Sequence, residues 1–258
     1  MLLGIDHVII ACADPDAAAI ELESQIGLRA SGGGRHDAHG TFNRLFWLGD
    51  SYVELMGVFD SELAAESWWG AHMARLLDSA PAALAGVAFA TDDLEGDVQR
   101  LRAQRSAITD PVDGQRVRAD GQVVRWRIGR LPAPDSDLGL VFLIEHDPGS
   151  AEWRPEERAT RAAETHPTGT TARLMRVELA VANVRDATLR LLRDLGLSFR
   201  PSLAGGGARD TSIGAQTLRL APSRSSPRAP TTVIRAGPES RAVTALGVDW
   251  VLEPALRV

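Results

Sequence analysis

Two ionisable side chains stand in strand-like apolar runs, where such groups are costly. His7 lies in GIDHVIIAC and Glu54 in YVELM. A buried imidazole needs a hydrogen bond or a metal, and a lone carboxylate needs a cation or a strong donor set. Imidazole plus carboxylate with open coordination positions suits Zn, Fe(II), Mn or Ni, and the pair alone does not choose among them. FLIEHD offers a third donor. Glu145 and His146 are adjacent there, so their side chains point to opposite faces of a strand. Val141, Leu143 and Glu145 share one face. If that face lines a cavity, the metal set is His7, Glu54 and Glu145, with His146 as the alternative. Three protein ligands would leave room for substrate.

Other residues surround this set. His36 and His39 lie in SGGGRHDAHGTFN, a glycine-rich stretch that can cover a cavity mouth. Asn43 and Trp47 alternate with Leu45 and share a face with it, either lining a pocket or packing in the core. Arg125 and Arg127 share a face of VVRWRIGR and can clamp a carboxylate or phosphate group, although an exposed strand gives the same pattern. Gly32 to Gly34 and Gly205 to Gly207 open no helix after a strand, so they read as flexible turns and not as dinucleotide fingerprints. His72 and His166 read as surface residues.

These residues need elements to hold them. Gly4 to Cys12 reads as a buried strand. Asp14-Pro15-Asp16 then caps a helix that Gly27 stops. Three strand-like runs follow, giving β-α-β-β-β for residues 1–60. A module commonly sets its first and last strands side by side, which would bring His7 opposite Glu54. A helix is expected over 61–81, with Trp69, Met73, Leu76 and Leu77 on its core face. The pattern then recurs over 82–150, with Asp92 and Asp93 at the helix start. Residues 151–172 read as a linker. Residues 173–258 read as a third, degenerate copy with one more strand at its end, interrupted by a Pro- and Ser-rich loop at 221–231. The expected class is α+β, built from tandem βαβββ modules with curved mixed sheets.

A first strand carrying DHV, the segment GGRHDAHGTFNRLFWLGDSYVELMGV and the repeated modules resemble the vicinal oxygen chelate superfamily, glyoxalase-like branch. The resemblance is clearest over residues 3–60 and fair over 82–147. It implies that two modules pair into a half-barrel around a divalent metal, with ligands from first and last strands. It also implies lyase or isomerase chemistry on a small oxygenated substrate, with Glu54 or Glu145 exchanging between ligand and general base. The position matching His7 in the second module is Gly86, so one expected ligand is missing. The alternative is a protein that sequesters a drug or metabolite in the same cavity without metal. Extradiol dioxygenase chemistry ranks lowest, because only His7 is well placed. The third unit has no such histidine, and a structural role is expected, completing or capping the sheet.

Composition narrows the field. All 28 cationic residues are arginine, which removes Schiff-base lysine and P-loop chemistry. Cys12 is the single cysteine, so an intramolecular disulfide, a thiolate zinc site and an iron–sulfur cluster are out. A net charge of −6 without a basic stripe argues against nucleic-acid or anionic-membrane partners. The expected partner is a small molecule, and the chain is expected to be a cytoplasmic monomer or homodimer.

Overall fold

The computed structural model describes residues 2–132, 137–223 and 230–254 of the 258. The first module is β1 (Gly4–Cys12), α1 (Pro15–Ile26), β2 (Gly32–His36), β3 (Thr41–Leu48) and β4 (Ser51–Val58). Its helix begins as expected: the Asp14 carboxylate accepts from the amides of Asp16 and Ala17, with Pro15 at the first turn. Gly27, at φ 69°, ends it. The connection holds two short helices, α2 (Ser61–Glu66) and α3 (Gly70–Leu77), with Trp68 and Trp69 at the break. The second module is β5 (Ala82–Ala90), α4 (Leu94–Ala103), β6 (Val112–Val117), β7 (Val123–Arg130) and β8 (Leu140–His146).

The two modules form a closed barrel in the order β1-β4-β3-β2-β6-β7-β8-β5, not the open half-barrel that the resemblance implies. β4 runs parallel to β1 and β8 parallel to β5, while β1 and β5 are antiparallel. The seam between β2 and β6 is thin, with Arg35 opposite Val117 as its one register pair. Glycine makes it possible. A Cβ at Gly34 would overlap the Val117 carbonyl oxygen, so Gly32 to Gly34 form a strand at a close backbone approach rather than the turn expected of them. Gly34→Val is therefore expected to part the seam, costing about 1–3 kcal/mol. Hydrogen exchange at the Arg35 and Val117 amides checks this, and protection equal to the native protein would refute it.

The rest of the chain packs outside. After α5 (Pro155–Ala163) come β9 (Arg173–Val181), α6 (Val184–Leu195), β10 (Arg200–Pro201), β11 (Arg209–Ile213), β12 (Gln216–Pro222), β13 (Thr231–Arg235), β14 (Arg241–Ala245) and β15 (Val248–Glu253). They form one sheet, β10-β11-β12-β9-β13-β15-β14. Its pairing repeats the barrel: β12 is parallel to β9, β13 antiparallel to β9, and β15 parallel to β13. The C-terminal part is thus a third module plus a partial fourth of three strands, whose connection at 236–240 is too short to hold a helix. It makes its own sheet and does not complete the barrel's edge. Of the loop expected at 221–231, residues 224–229 lie outside the described residues.

Strand alternation divides the core. Val8, Ile10 and Cys12 face outward into a large core shared with Leu22 of α1 and with Val177 and Trp250 of the second sheet. Ile9 and Ala11 face into the barrel with Met56, Phe142 and Ile144. The second sheet also reaches the start of β1. Gln216 accepts from the Ile5 amide at 2.6 Å and donates to the Ile5 carbonyl at 3.2 Å, serving backbone groups where the β1–β5 register shifts between Ile5 and His7. Among the described residues, no helix is long and apolar enough to cross a membrane.

Candidate active site

Inward side chains of both modules surround a cavity of about 580 Å³ including its mouth, of which about 50 Å³ admits the centre of a water molecule. Its walls are largely aromatic, with Trp47, Trp68, Trp69, Trp126, Phe142 and Trp153 among them. The polar groups converge on one side. β1 and β4 run in register, and His7 Nε2 lies 3.5 Å from Glu54 Oε2. The other Glu54 oxygen accepts from Asn43 Nδ2 at 2.5 Å, and Asn43 Oδ1 accepts from the Gly34 amide at 2.9 Å. The same β2 glycine that closes the barrel therefore fixes the carboxylate.

Asp6 holds the imidazoles. His7 Nδ1 donates to Asp6 at 2.6 Å, and His146 Nε2 donates to it at 3.0 Å. Burial would raise the Asp6 carboxyl, but the charge and hydrogen bond of His146, followed by those of His7, outweigh it and keep the carboxyl well below the usual range. With Asp6 ionised and bonded to His7 Nδ1, His7 Nε2 is left facing Glu54 Oε2. Tyr52 stacks on His7 with ring centroids 4.5 Å apart, and burial pushes its hydroxyl well above the usual range, so it stays neutral.

The opposite wall carries a buried ion pair. Arg116 Nη2 donates to Glu152 at 2.6 Å, with the side chains 4% and 7% exposed. Glu152 and Trp153 belong to the segment expected as a linker, which instead packs against the barrel. Trp153 joins Leu45, Trp47 and Val124 in a small core, and the Arg161 guanidinium lies 3.9 Å over Trp47. His36, 3% exposed, is held down to about 3 by burial first and by Arg116 next.

Residues 5–195 match the family model of the glyoxalase-like domain. This chain belongs to that family. A hypothetical protein from Staphylococcus aureus aligns over 98% of this chain and 100% of its own, with TM-score 0.80 and 16% identity. Methylmalonyl-CoA epimerases from Streptomyces coelicolor and Mycobacterium tuberculosis align over 56% and 57% of this chain and 97% and 90% of theirs. Their TM-scores are 0.43 and 0.44, at 22% and 23% identity. No curated protein matches the sequence. The fold is the glyoxalase or vicinal oxygen chelate fold.

The glyoxalase-like barrel does not present the divalent-metal set that the resemblance implies. Glu145 points out of the barrel, 3.8 Å from Arg127, and not toward His7 and Glu54. Val141 and Leu143 on its face pack into the outer core with Leu94, Val98 and Leu101 of α4 and its neighbourhood, so Leu140, Phe142, Ile144 and His146 turn inward. His7 Nδ1 is spent on Asp6, and among the described residues no three His, Cys, Asp or Glu side chains group as a metal site. Gly86 cannot be repaired simply, because a Cβ there would overlap the Leu140 carbonyl. Gly86→His is expected to lower the melting temperature without creating zinc uptake. A stable variant that takes up one zinc per chain would refute this.

Of the other residues singled out, Asn43 and Trp47 line the cavity with Leu45. His39 lies in an outer groove and touches the cavity only through Trp69, at 4.1 Å between ring centroids. Arg125 and Arg127 line the same groove, since alternation on β7 sends Val124, Trp126 and Ile128 inward. Arg127 pairs there with Glu95 at 3.2 Å. His72 and His166 are buried, not on the surface: His72 Nε2 donates to the Ala85 carbonyl and His166 Nε2 to that of Trp47. His36, expected in a glycine-rich stretch over the cavity mouth, instead ends β2 and is buried in the cavity wall. Asp6, Arg116 and Glu152 were not singled out from sequence. For Asp6 a signal existed, a second ionisable residue in the same apolar run. Arg116 and Glu152 sit in polar segments that gave none.

Proposed function

We propose that the barrel encloses a small carbonyl compound and moves a proton on it, an isomerase-type reaction carried by Glu54 with His7. The observation that supports this most is the Glu54 carboxylate, fixed through Asn43 at one oxygen and facing the cavity and His7 Nε2 with the other. A base within hydrogen-bond reach of a carbon beside a carbonyl can take its proton. The C–H bond breaks, the proton goes to Glu54, and the electron pair moves to the carbonyl oxygen as an enolate. Return of the proton to the other face or to a neighbouring carbon completes an isomerisation without oxidant or reductant. His7, oriented by Asp6, can share the proton with Glu54 and steady its charge. A metal-dependent version would need a third donor: Glu145 points away, and the inward His146, the alternative, has its Nε2 on Asp6.

A second reading, sequestration of a planar ligand without chemistry, is favoured by the tryptophan walls, which suit stacking. The test is deuterium incorporation. The protein is incubated in D₂O with small cyclic ketones, lactones and hydroxyketones, and exchange beside the carbonyl is followed by NMR alongside binding. Protein-dependent exchange supports proton transfer; tight binding with no exchange for any bound compound supports sequestration.

A further inference from the structure

Three buried polar atoms on residues lining this cavity have no hydrogen-bond partner: Arg116 Nη1, Trp68 Nε1 and His146 Nδ1. Leaving a buried polar group unpaired is costly, so such atoms in one enclosure mark where a ligand's atoms belong. Arg116 and Trp68 can only donate, so the ligand must present acceptors. Charge narrows the class further. Glu152 pairs with Arg116; Arg118, 3.9 Å from Glu152, has Asp120 and Glu157 as further partners; and Glu54 and Glu152 line the same small space. An entering anion would meet two carboxylates, whereas a neutral carbonyl oxygen supplies Arg116 Nη1 with an acceptor and adds no charge.

We infer that the ligand is a neutral, planar carbonyl compound whose oxygen accepts from Arg116 Nη1, and that Arg116 is a catalytic residue polarising that carbonyl. This rests on the proton-transfer reading above. A guanidinium donor held in a largely aromatic cavity binds the developing enolate more strongly than the ground-state ketone, which lowers the barrier. The aromatic walls select flat ligands, and the ion pair with Glu152 holds the donor rigid.

The experiment uses three probes of one shape: 2-indanone, indane and indane-2-carboxylate. Binding is measured by calorimetry and tryptophan fluorescence for the native protein, for Arg116→Lys, and for Arg116→Met combined with Glu152→Gln, which strands neither charge. The native protein should bind the ketone roughly 10- to 100-fold tighter than indane, and tighter than the carboxylate. The double variant should bind ketone and indane alike, with indane affinity unchanged as proof of an intact cavity. If it does not fold, Arg116→Lys, which keeps a charge toward Glu152 but loses the second fork nitrogen, should show the reduced preference. Equal native affinity for ketone and indane, tighter carboxylate binding, a preference that survives in the folded variants, or no binding of any probe would each overturn the inference. Deuterium exchange read on the same samples separates the two claims. An Arg116-dependent preference without exchange removes proton transfer and keeps the ligand class; exchange indifferent to Arg116 does the reverse.

Discussion

Glu54→Gln is expected to reduce protein-dependent deuterium exchange by about 10²- to 10⁴-fold, the usual contribution of a positioned general base. Ligand affinity should change little. The substitution is nearly isosteric, and the amide carbonyl can still accept from Asn43 Nδ2, which now bonds Glu54 Oε1 at 2.5 Å. The amide nitrogen would sit where Oε2 faces His7 Nε2 and donate to it. The loss would therefore fall on the chemical step and not on the fold. Glu54→Leu separates the two effects differently. It strands Asn43 Nδ2 in a buried wall, costing about 1–3 kcal/mol of stability as well as the exchange. Exchange rates per bound ligand for both variants, with thermal midpoints, check this. A Glu54→Gln protein that exchanges at the native rate would remove Glu54 as the base.

His7 and Glu54 were legible in the sequence because an ionisable side chain inside an apolar run is hard to explain any other way, and the module order brings their strands together. Asn43 and Trp47 were legible through period-two alternation. What failed was the choice of face on β8. Alternation correctly separates Glu145 from Phe142 and Ile144, but which set looks inward depends on where α4 packs. Val141 and Leu143 meet that helix, so the apolar-looking face is the outer one and His146 is the inner polar group. Asp6 was visible as a second ionisable residue beside His7, but regular alternation sends neighbours to opposite faces and cannot express the register shift between Ile5 and His7. Arg116 and Glu152 escaped for a related reason. Each lies in a hydrophilic stretch, VDGQRV and SAEWRPEE, and each is buried only because the other is there. Pairing across 36 positions leaves no local signature.

Acid should destabilise the protein earlier than its carboxylates alone would dictate, and His36 is the reason. Burial against Trp69 and Trp126, reinforced by Arg116, holds its folded value near 3, while an unfolded histidine titrates near 6.5. Between those values the unfolded chain binds a proton that the native protein refuses, so stability rises with pH across the window. The contribution is fully present above about pH 6.5 and is lost progressively as pH falls toward 3. Its size is on the order of 5 kcal/mol, at about 1.4 kcal/mol per pH unit. His72 and His166, lowered by burial, act in the same direction. Asp6 adds a later loss. Its folded value is depressed, so its contribution is present above the unfolded value near 4 and falls away below it. Urea midpoints measured from about pH 7.5 to about 2.5 should therefore decline in two stages, beginning near 6.5. His36→Gln, which cannot titrate, should make the first stage shallower, leaving the part due to His72 and His166, and leave the second. Parallel pH profiles for the variant and the native protein would mean that His36 accepts a proton in the folded state, and that the cavity wall beside Arg116 is wetter and more tolerant of charge than its packing implies.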